Sequence, residues 1–147
     1  MVYSNLRHLK LLKYRLKLNQ ANKTLVEESP NLRRELFTYE TVVRDSIFWL
    51  HRKEFFSIIE LFISNNSNFE KFELDFSKLY IETETKFRNF VNDIKQIEKF
   101  QPNLQSEQFS SFVTAIFRET ELVEDEYCSE EEVKEYVKDL YLKTFKI

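Results

Sequence analysis

Residues 69–97 read FEKFELDFSKLYIETETKFRNFVNDIKQI, and this stretch decides the fold. Apolar and aromatic residues recur in it every three or four positions, with one gap at Thr83, and charged residues fill much of the rest. This spacing is typical of an α-helix with a single apolar stripe. We therefore predict one helix from Phe69 to about Phe100, which Pro102 ends because the residue before a proline avoids helical dihedral angles. The predicted stripe comprises Phe69, Phe72, Phe76, Leu79, Phe87, Phe90, Ile94 and Ile97.

A helix with one apolar side needs other helices to cover it, and the chain before residue 69 supplies candidates. Ser29 followed by Pro30 is typical of a helix start, with Ser as the N-cap and Pro in the first turn. The helix that begins there either continues to residue 63 or breaks between Arg44 and Lys53, with Asp45 as a candidate cap for a second start. Residues 64–68, SNNSN, predict the turn before the long helix, since Asn tolerates the left-handed conformation that ends helices and also caps the next one.

Two more helices are predicted after Pro102. One starts after Ser106 and ends in an acidic stretch, and its predicted buried face comprises Phe109, Phe112, Val113, Ile116 and Phe117. The other begins at Ser129, because Ser129 and Glu132 have the spacing of a capping box. Its predicted stripe comprises Val133, Tyr136, Val137, Leu140, Tyr141 and Phe145. The sequence therefore predicts an all-α fold, a compact bundle of about five helices.

We predict a single helical domain of residues 1–147. Within it, residues 1–28 form a basic N-terminal helix with a linker, and residues 30–147 form the bundle. Up to residue 26 this segment contains no acid, and its apolar stripe runs through Leu6, Leu9, Leu12 or Tyr14, and Leu16. Three interpretations compete: an amphipathic helix packed on the rest of a single domain, an organelle-targeting segment, or a contact with nucleic acid or an anionic membrane. We rank the last lowest, because no aromatic-rich nucleic-acid motif accompanies the basic residues.

Composition excludes several classes of protein. The 147 residues contain no Gly, and 15 of them are Phe. Without Gly, tight hairpin turns and the phosphate-binding loops of nucleotide-binding proteins are hard to build. No apolar run approaches the length of about 18 residues that a membrane span needs. The richness in Phe, Tyr, Ile, Asn and Lys indicates an AT-rich genome, such as that of a plastid or a low-GC bacterium. We expect a location in the cytoplasm, or in the plastid stroma if the gene is organellar.

No catalytic, cofactor-binding or metal-binding pattern is found. His8 and His51 do not lie at ligand spacing from a Cys, Asp or Glu, and a nucleophile elbow needs the glycines that this chain lacks. Cys128, the one cysteine, has acidic neighbours, which disfavour a reactive thiolate. We therefore predict a protein that is not an enzyme and that has no cofactor.

Charge segregation is the strongest functional signal in the sequence. No base lies between Glu119 and Glu132, and the acids of this stretch are either a solvated loop with helix-capping residues or an electrostatic docking face for a basic protein. Aromatics beside these acids, such as Tyr127, would take part in contacts with such a partner. The predicted partner-binding residues are Glu119, Glu121, Glu124, Asp125, Glu126, Tyr127, Glu130 and Glu131, with Glu132 as the last acid of the stretch.

From about residue 54 to residue 147 the chain resembles the colicin D-type, colicin-like immunity proteins. The resemblance rests on the apolar helix FFSIIELFI at 55–63, the polar turn that follows, the aromatic helix start FEKFELDF at 69–76, the acidic segment, and the ending LKTFKI at 142–147. The turn of that family usually contains Gly, which Asn65 and Asn66 replace here. Members of that family bind the RNase domain of a toxin, and their acidic side chains occupy the cleft meant for tRNA.

We therefore expect an immunity-type inhibitor that binds a basic partner, such as an RNase toxin domain, through its acidic C-terminal face. We expect neither nucleic acid nor membrane as a partner. The alternative expectation is a plastid-encoded or bacterial helical adaptor that binds a partner helix and has no toxin partner.

Overall fold

The computed structural model describes residues 10–11, 13–15, 30–89 and 104–145, and every regular element in these ranges is an α-helix. The prediction of an all-α fold is confirmed. Residues 10–11 and 13–15 are helical, and five longer helices follow: α1 (Pro30–Leu50), α2 (Arg52–Ile63), α3 (Phe69–Arg88), α4 (Leu104–Glu124) and α5 (Glu130–Phe145). None of the described helices is both long enough and apolar enough to cross a membrane.

The break between α1 and α2 falls at His51, which decides between the two alternatives that the sequence left open. The His51 amide donates a hydrogen bond to the Phe48 carbonyl (3.1 Å), and Arg52 Nη1 donates to the Trp49 carbonyl (3.0 Å). Asp45 does not cap a second helix. It lies buried inside α1, where burial raises the pKa of its carboxyl group.

The helix α3 is shorter than predicted. It ends at Arg88, and the amide of its C-cap Asn89 donates to the Thr85 carbonyl at 3.1 Å. The basic residues Lys86 and Arg88 in its last turn suit the negative end of the helix dipole. An apolar period can resume after such a stop, which is why the pattern alone predicted a longer helix. Predicted stripe residues Phe90, Ile94 and Ile97 lie outside the described residues.

Among the described residues, two turns have a residue in the left-handed region. Asn65 (φ 63°) follows α2 and Glu126 (φ 62°) follows α4. Both belong to Schellman motifs, in which Asn66 N donates to Leu61 O (2.9 Å) and Tyr127 N donates to Leu122 O (2.8 Å). Asn65 confirms the predicted turn, and Asn68 caps α3 by accepting a hydrogen bond from the amide of Lys71 at 2.8 Å.

The buried side chains form two clusters. The larger one joins α2, α3, α4 and α5 with Phe48 of α1. It confirms the predicted stripes apart from Phe87, which packs against the smaller cluster. The buried stripe residues are Phe69, Phe72, Phe76, Leu79, Phe109, Phe112, Val113, Ile116, Val133, Val137 and Tyr141, and the partly buried ones are Phe117, Tyr136, Leu140 and Phe145. Thr83, the polar residue that interrupts the apolar stripe of α3, is also buried, and its hydroxyl donates to the Leu79 carbonyl.

The smaller cluster joins the N-terminal helical residues to α1. Leu11 and Tyr14 are buried against Leu36, Tyr39, Val43 and Ile47, and Arg15 forms an ion pair with Glu40. This packing favours the first interpretation of the basic segment, an amphipathic helix that covers the domain. Leu11 was missing from the predicted stripe, of which only Tyr14 lies among the described residues.

A polar network centred on Arg44 joins α1, α3 and α4. The Arg44 guanidinium donates to Glu84 Oε1 (2.6 and 2.9 Å), to Ser110 Oγ (2.8 Å), to Tyr80 Oη (3.1 Å) and to Thr114 Oγ1 (3.3 Å). Its carbon Cζ also lies 4.7 Å from the centre of a core aromatic ring, that of Phe48. One side chain of α1 thereby fixes the positions of two neighbouring helices. We call Arg44 and its four hydrogen-bond partners, Tyr80, Glu84, Ser110 and Thr114, the Arg44 network.

Candidate functional site

The predicted acidic stretch lies at the junction of α4 and α5, and it is mostly helical. The fourth helix starts at Leu104, whereas the sequence predicted a start after Ser106, and it continues to Glu124, beyond the predicted end in the acidic stretch that begins at Glu119. Ser106 is therefore buried within the first turns of α4. Only residues 125–129 form a turn, which brings the last turn of α4 beside the first turn of α5.

Five of the predicted acids are exposed at this junction: Glu124, Asp125, Glu126, Glu130 and Glu131. Tyr127 projects from the turn between them with 80 % of its surface exposed. An open depression of about 730 Å³ lies beside the ring, lined by Val123 and by residues 126–132. The junction therefore presents carboxylates around one exposed aromatic ring.

A helix cap holds the start of α5 in place. The amide of Glu132 donates to Ser129 Oγ (3.2 Å), and the Ser129 hydroxyl donates to Glu132 Oε1 (3.2 Å). The predicted cap at Ser129 is confirmed, with the Glu132 carboxylate bound to the Ser129 hydroxyl. Glu130 and Glu131 share the first turn, where the positive end of the helix dipole stabilises negative charge.

A third helix adds to this acidic surface. The carboxyl group of Glu73 on α3 hydrogen bonds to that of Glu124 on α4, and this contact raises the pKa of Glu73 to about 7. The charges of Glu130 and Glu70 act in the same direction. Two carboxyl groups in contact share a proton because both cannot be ionised without repulsion. We define the acidic face as Glu73, Glu124, Asp125, Glu126, Tyr127, Glu130 and Glu131.

Two predicted residues lie apart from this face. Glu119 is half-buried between α4 and α5. Partial burial is the main cause that raises the pKa of Cys128 and of Tyr136, and the charge of Glu119 raises both further. A raised thiol pKa means that little nucleophilic thiolate forms, so Cys128 fits the role of a bystander. Glu121 is exposed on the surface of α4.

Among the described residues, no group of three or more His, Cys, Asp or Glu side chains could hold a metal ion. His51 lies away from the acidic face and bonds to Glu54 (3.2 Å) and Lys86 (2.9 Å). His8 lies outside the described residues.

Comparisons with known proteins found no match: no family model, no curated protein and no solved structure corresponds to this chain. The resemblance to the immunity proteins therefore stays a sequence-based expectation.

Sequence reasoning missed the contribution of Glu73. A carboxylate in the first two turns of a helix is common, and nothing in the local sequence shows which other helix end it will meet. The contact exists because α3 and α4 run antiparallel, so that the start of one lies beside the end of the other.

Proposed function

We propose that this chain is a non-catalytic binding protein that docks a basic protein on its acidic face, as an immunity-type inhibitor docks a nuclease. The observation that carries the proposal is the convergence of carboxylates from three helices near the exposed ring of Tyr127. Those of α4, α5 and the turn between them are exposed, and that of Glu73 on α3 is half-buried.

The acidic face is electrostatically unfavourable in the free protein. The whole chain has a net charge of only −3, whereas the face gathers Glu73, Glu124, Asp125, Glu126, Glu130 and Glu131 in one region. Like charges brought together repel one another, and a basic partner removes that repulsion when it binds. The same field accelerates the encounter with such a partner.

A nuclease is a fitting basic partner for chemical reasons. Its cleft must neutralise phosphates, which takes Lys and Arg side chains, and single-stranded nucleic acid commonly stacks its bases on aromatic rings. Carboxylates around the Tyr127 ring offer the same combination of negative charge and an aromatic plane. The family resemblance supports the same choice of partner.

A helix-binding adaptor is the second candidate, and one observation on α3 favours it. Leu74 (68 % exposed) and Ile81 (57 % exposed) lie seven residues apart, so both are on the same outer side of the helix. An amphipathic partner helix could cover this side without touching the acidic face.

Capture experiments with two variants separate these functions. The tagged chain, a triple variant Glu124→Lys, Asp125→Lys and Glu126→Lys, and a double variant Leu74→Ser and Ile81→Ser are used to purify partners from a host lysate. The inhibitor function predicts a basic protein that is lost only with the triple variant and whose RNase activity the wild-type chain inhibits. The adaptor function predicts a captured partner that is lost only with the double variant. A basic partner retained by the triple variant contradicts the proposal.

A further inference from the structure

A second concave site lies at the other end of the α4–α5 pair. It is a pocket of about 360 Å³, lined by Trp49, Arg52, Phe56, Glu60, Gln105, Tyr141 and Phe145. Gln105 stands at the start of α4 and Phe145 at the end of α5, whereas the acidic face is at the opposite ends of these helices. Because α4 has 21 residues, the two sites are about 30 Å apart along its axis.

Aromatic rings form the walls of this pocket, and they are held by one another. The ring centroid of Phe56 lies 5.0 Å from that of Phe145 and 5.9 Å from that of Tyr141, both in edge-to-face contact. Trp49 makes an edge-to-face contact with the buried Phe109 at 5.9 Å. Mutually packed rings have little freedom to move, so the apolar wall is formed before any ligand arrives.

Arg52 supplies a fixed positive charge at one end. Its Cζ lies 4.5 Å from the centre of the Trp49 ring, and its Nη1 donates to the Trp49 carbonyl at 3.0 Å. In the part of the chain that the structure describes, Arg52 forms no ion pair, and this is its one hydrogen bond. The remaining N–H groups of the guanidinium can therefore donate to both oxygens of a carboxylate in a two-point contact.

Glu60 marks the other end. It accepts a hydrogen bond from the Tyr141 hydroxyl (2.8 Å), and burial together with this bond raises the pKa of Tyr141 to about 12. Arg52, Phe56 and Glu60 are four residues apart, so they share one side of α2, with about 12 Å between the two charged positions. A ligand anion is attracted at Arg52 and repelled at Glu60, which fixes the direction in which it lies.

We propose that this pocket binds a small amphiphilic carboxylate, with its carboxylate on Arg52 and its apolar body along Phe56, Phe145 and Tyr141. The volume of about 360 Å³ holds roughly ten to twelve non-hydrogen atoms, at about 30 Å³ for each. A medium-chain or aromatic carboxylic acid has this size. The site is independent of the acidic face and of its partner.

Trp49 makes the proposal easy to test, because it is the only tryptophan of the chain and it lies in the pocket wall. Octanoate is titrated into the purified full chain while tryptophan fluorescence is recorded, and octanamide, a neutral molecule of the same size, is titrated in parallel. We expect a saturable change with octanoate and a Kd of roughly 0.1–1 mM, as is usual for so small a ligand. Octanamide should bind at least about tenfold more weakly, because it lacks the charge that pairs with Arg52.

Three variants identify the residues responsible. Arg52→Gln should weaken octanoate binding about tenfold and leave octanamide binding unchanged, and Glu60→Gln should strengthen octanoate binding a few-fold. Arg33→Gln is the matched control, since Arg33 also lies over an aromatic ring, that of Phe37 at 5.5 Å, but far from the pocket. Its octanoate affinity should equal that of the wild type.

Three results would overturn the proposal: no saturable fluorescence change with octanoate at about ten times the expected Kd, equal affinities for octanoate and octanamide, or an octanoate affinity that Arg52→Gln leaves unchanged. Circular dichroism of each variant checks that the helices are intact, so that a loss of binding reports on the pocket.

Discussion

Replacing Arg44 by Met should destabilise the protein, because the hydrogen bonds of Arg44 join α1 to α3 and α4. The variant keeps most of the side-chain volume and removes the five hydrogen bonds that Arg44 donates. Breaking a fully buried ion pair costs about 3–5 kcal/mol, because the remaining charge has no partner. Here the side chains of Arg44 and Glu84 are still 25 % and 22 % exposed, so water compensates in part, and we expect a loss of about 2–3 kcal/mol.

Urea denaturation followed by circular dichroism measures this loss. Arg33→Met is the control, since Arg33 is exposed on the same helix, and it should change the unfolding free energy by less than about 0.5 kcal/mol. In the double variant Arg44→Met with Glu84→Gln the unpaired charge is gone, so its cost should be smaller than the sum of the two single costs. A cost within about 0.5 kcal/mol of zero for Arg44→Met, or strictly additive costs in the double variant, would refute the reasoning.

Three further predictions concern stability. Phe76→Ala should cost about 3–5 kcal/mol in urea denaturation, because Phe76 is fully buried in the core; an unchanged midpoint would contradict this. Glu126→Gly should add about 1 kcal/mol by removing left-handed strain, whereas a loss would show that the strain is negligible. The pKa of Glu73 is about 7 in the folded protein, and its ordinary value is 4.5. The protonated pair of Glu73 and Glu124 therefore stabilises the folded state by about 1 kcal/mol below pH 4.5, and this stabilisation is lost as the pH rises through 7. Glu73→Gln should remove that pH dependence.

The sequence predicted what depends on local spacing. The apolar stripes of α3, α4 and α5 follow from a period of 3.6 residues, and the turn at Asn65 and the cap at Ser129 follow from the conformations that these side chains favour. Helix ends were harder to predict, because a stripe shows neither the stop at Arg88 nor the start at Leu104.

The contacts between distant helices could not be predicted. In the sequence, Arg44 was only the first residue of the range in which a helix break was predicted. Its five hydrogen bonds exist because α3 and α4 pack against α1 beside Arg44. The acidic face was predicted in part, since Glu124 to Glu131 are neighbours in sequence. Glu73 belongs to it through tertiary packing alone, and such a contact has no signature in the local pattern.

The association rate of the captured basic partner tests the acidic face most directly. It is measured by stopped flow at several salt concentrations for the wild type, for the triple reversal at Glu124, Asp125 and Glu126, and for a control reversal of equal charge at the exposed residues Glu82, Glu107 and Asp139. At low salt the triple reversal should associate at least about tenfold more slowly than the wild type and the control, and the difference should shrink as salt screens the charges. Equal rates and equal salt dependence for all three proteins would contradict the proposal that the acidic face docks the partner.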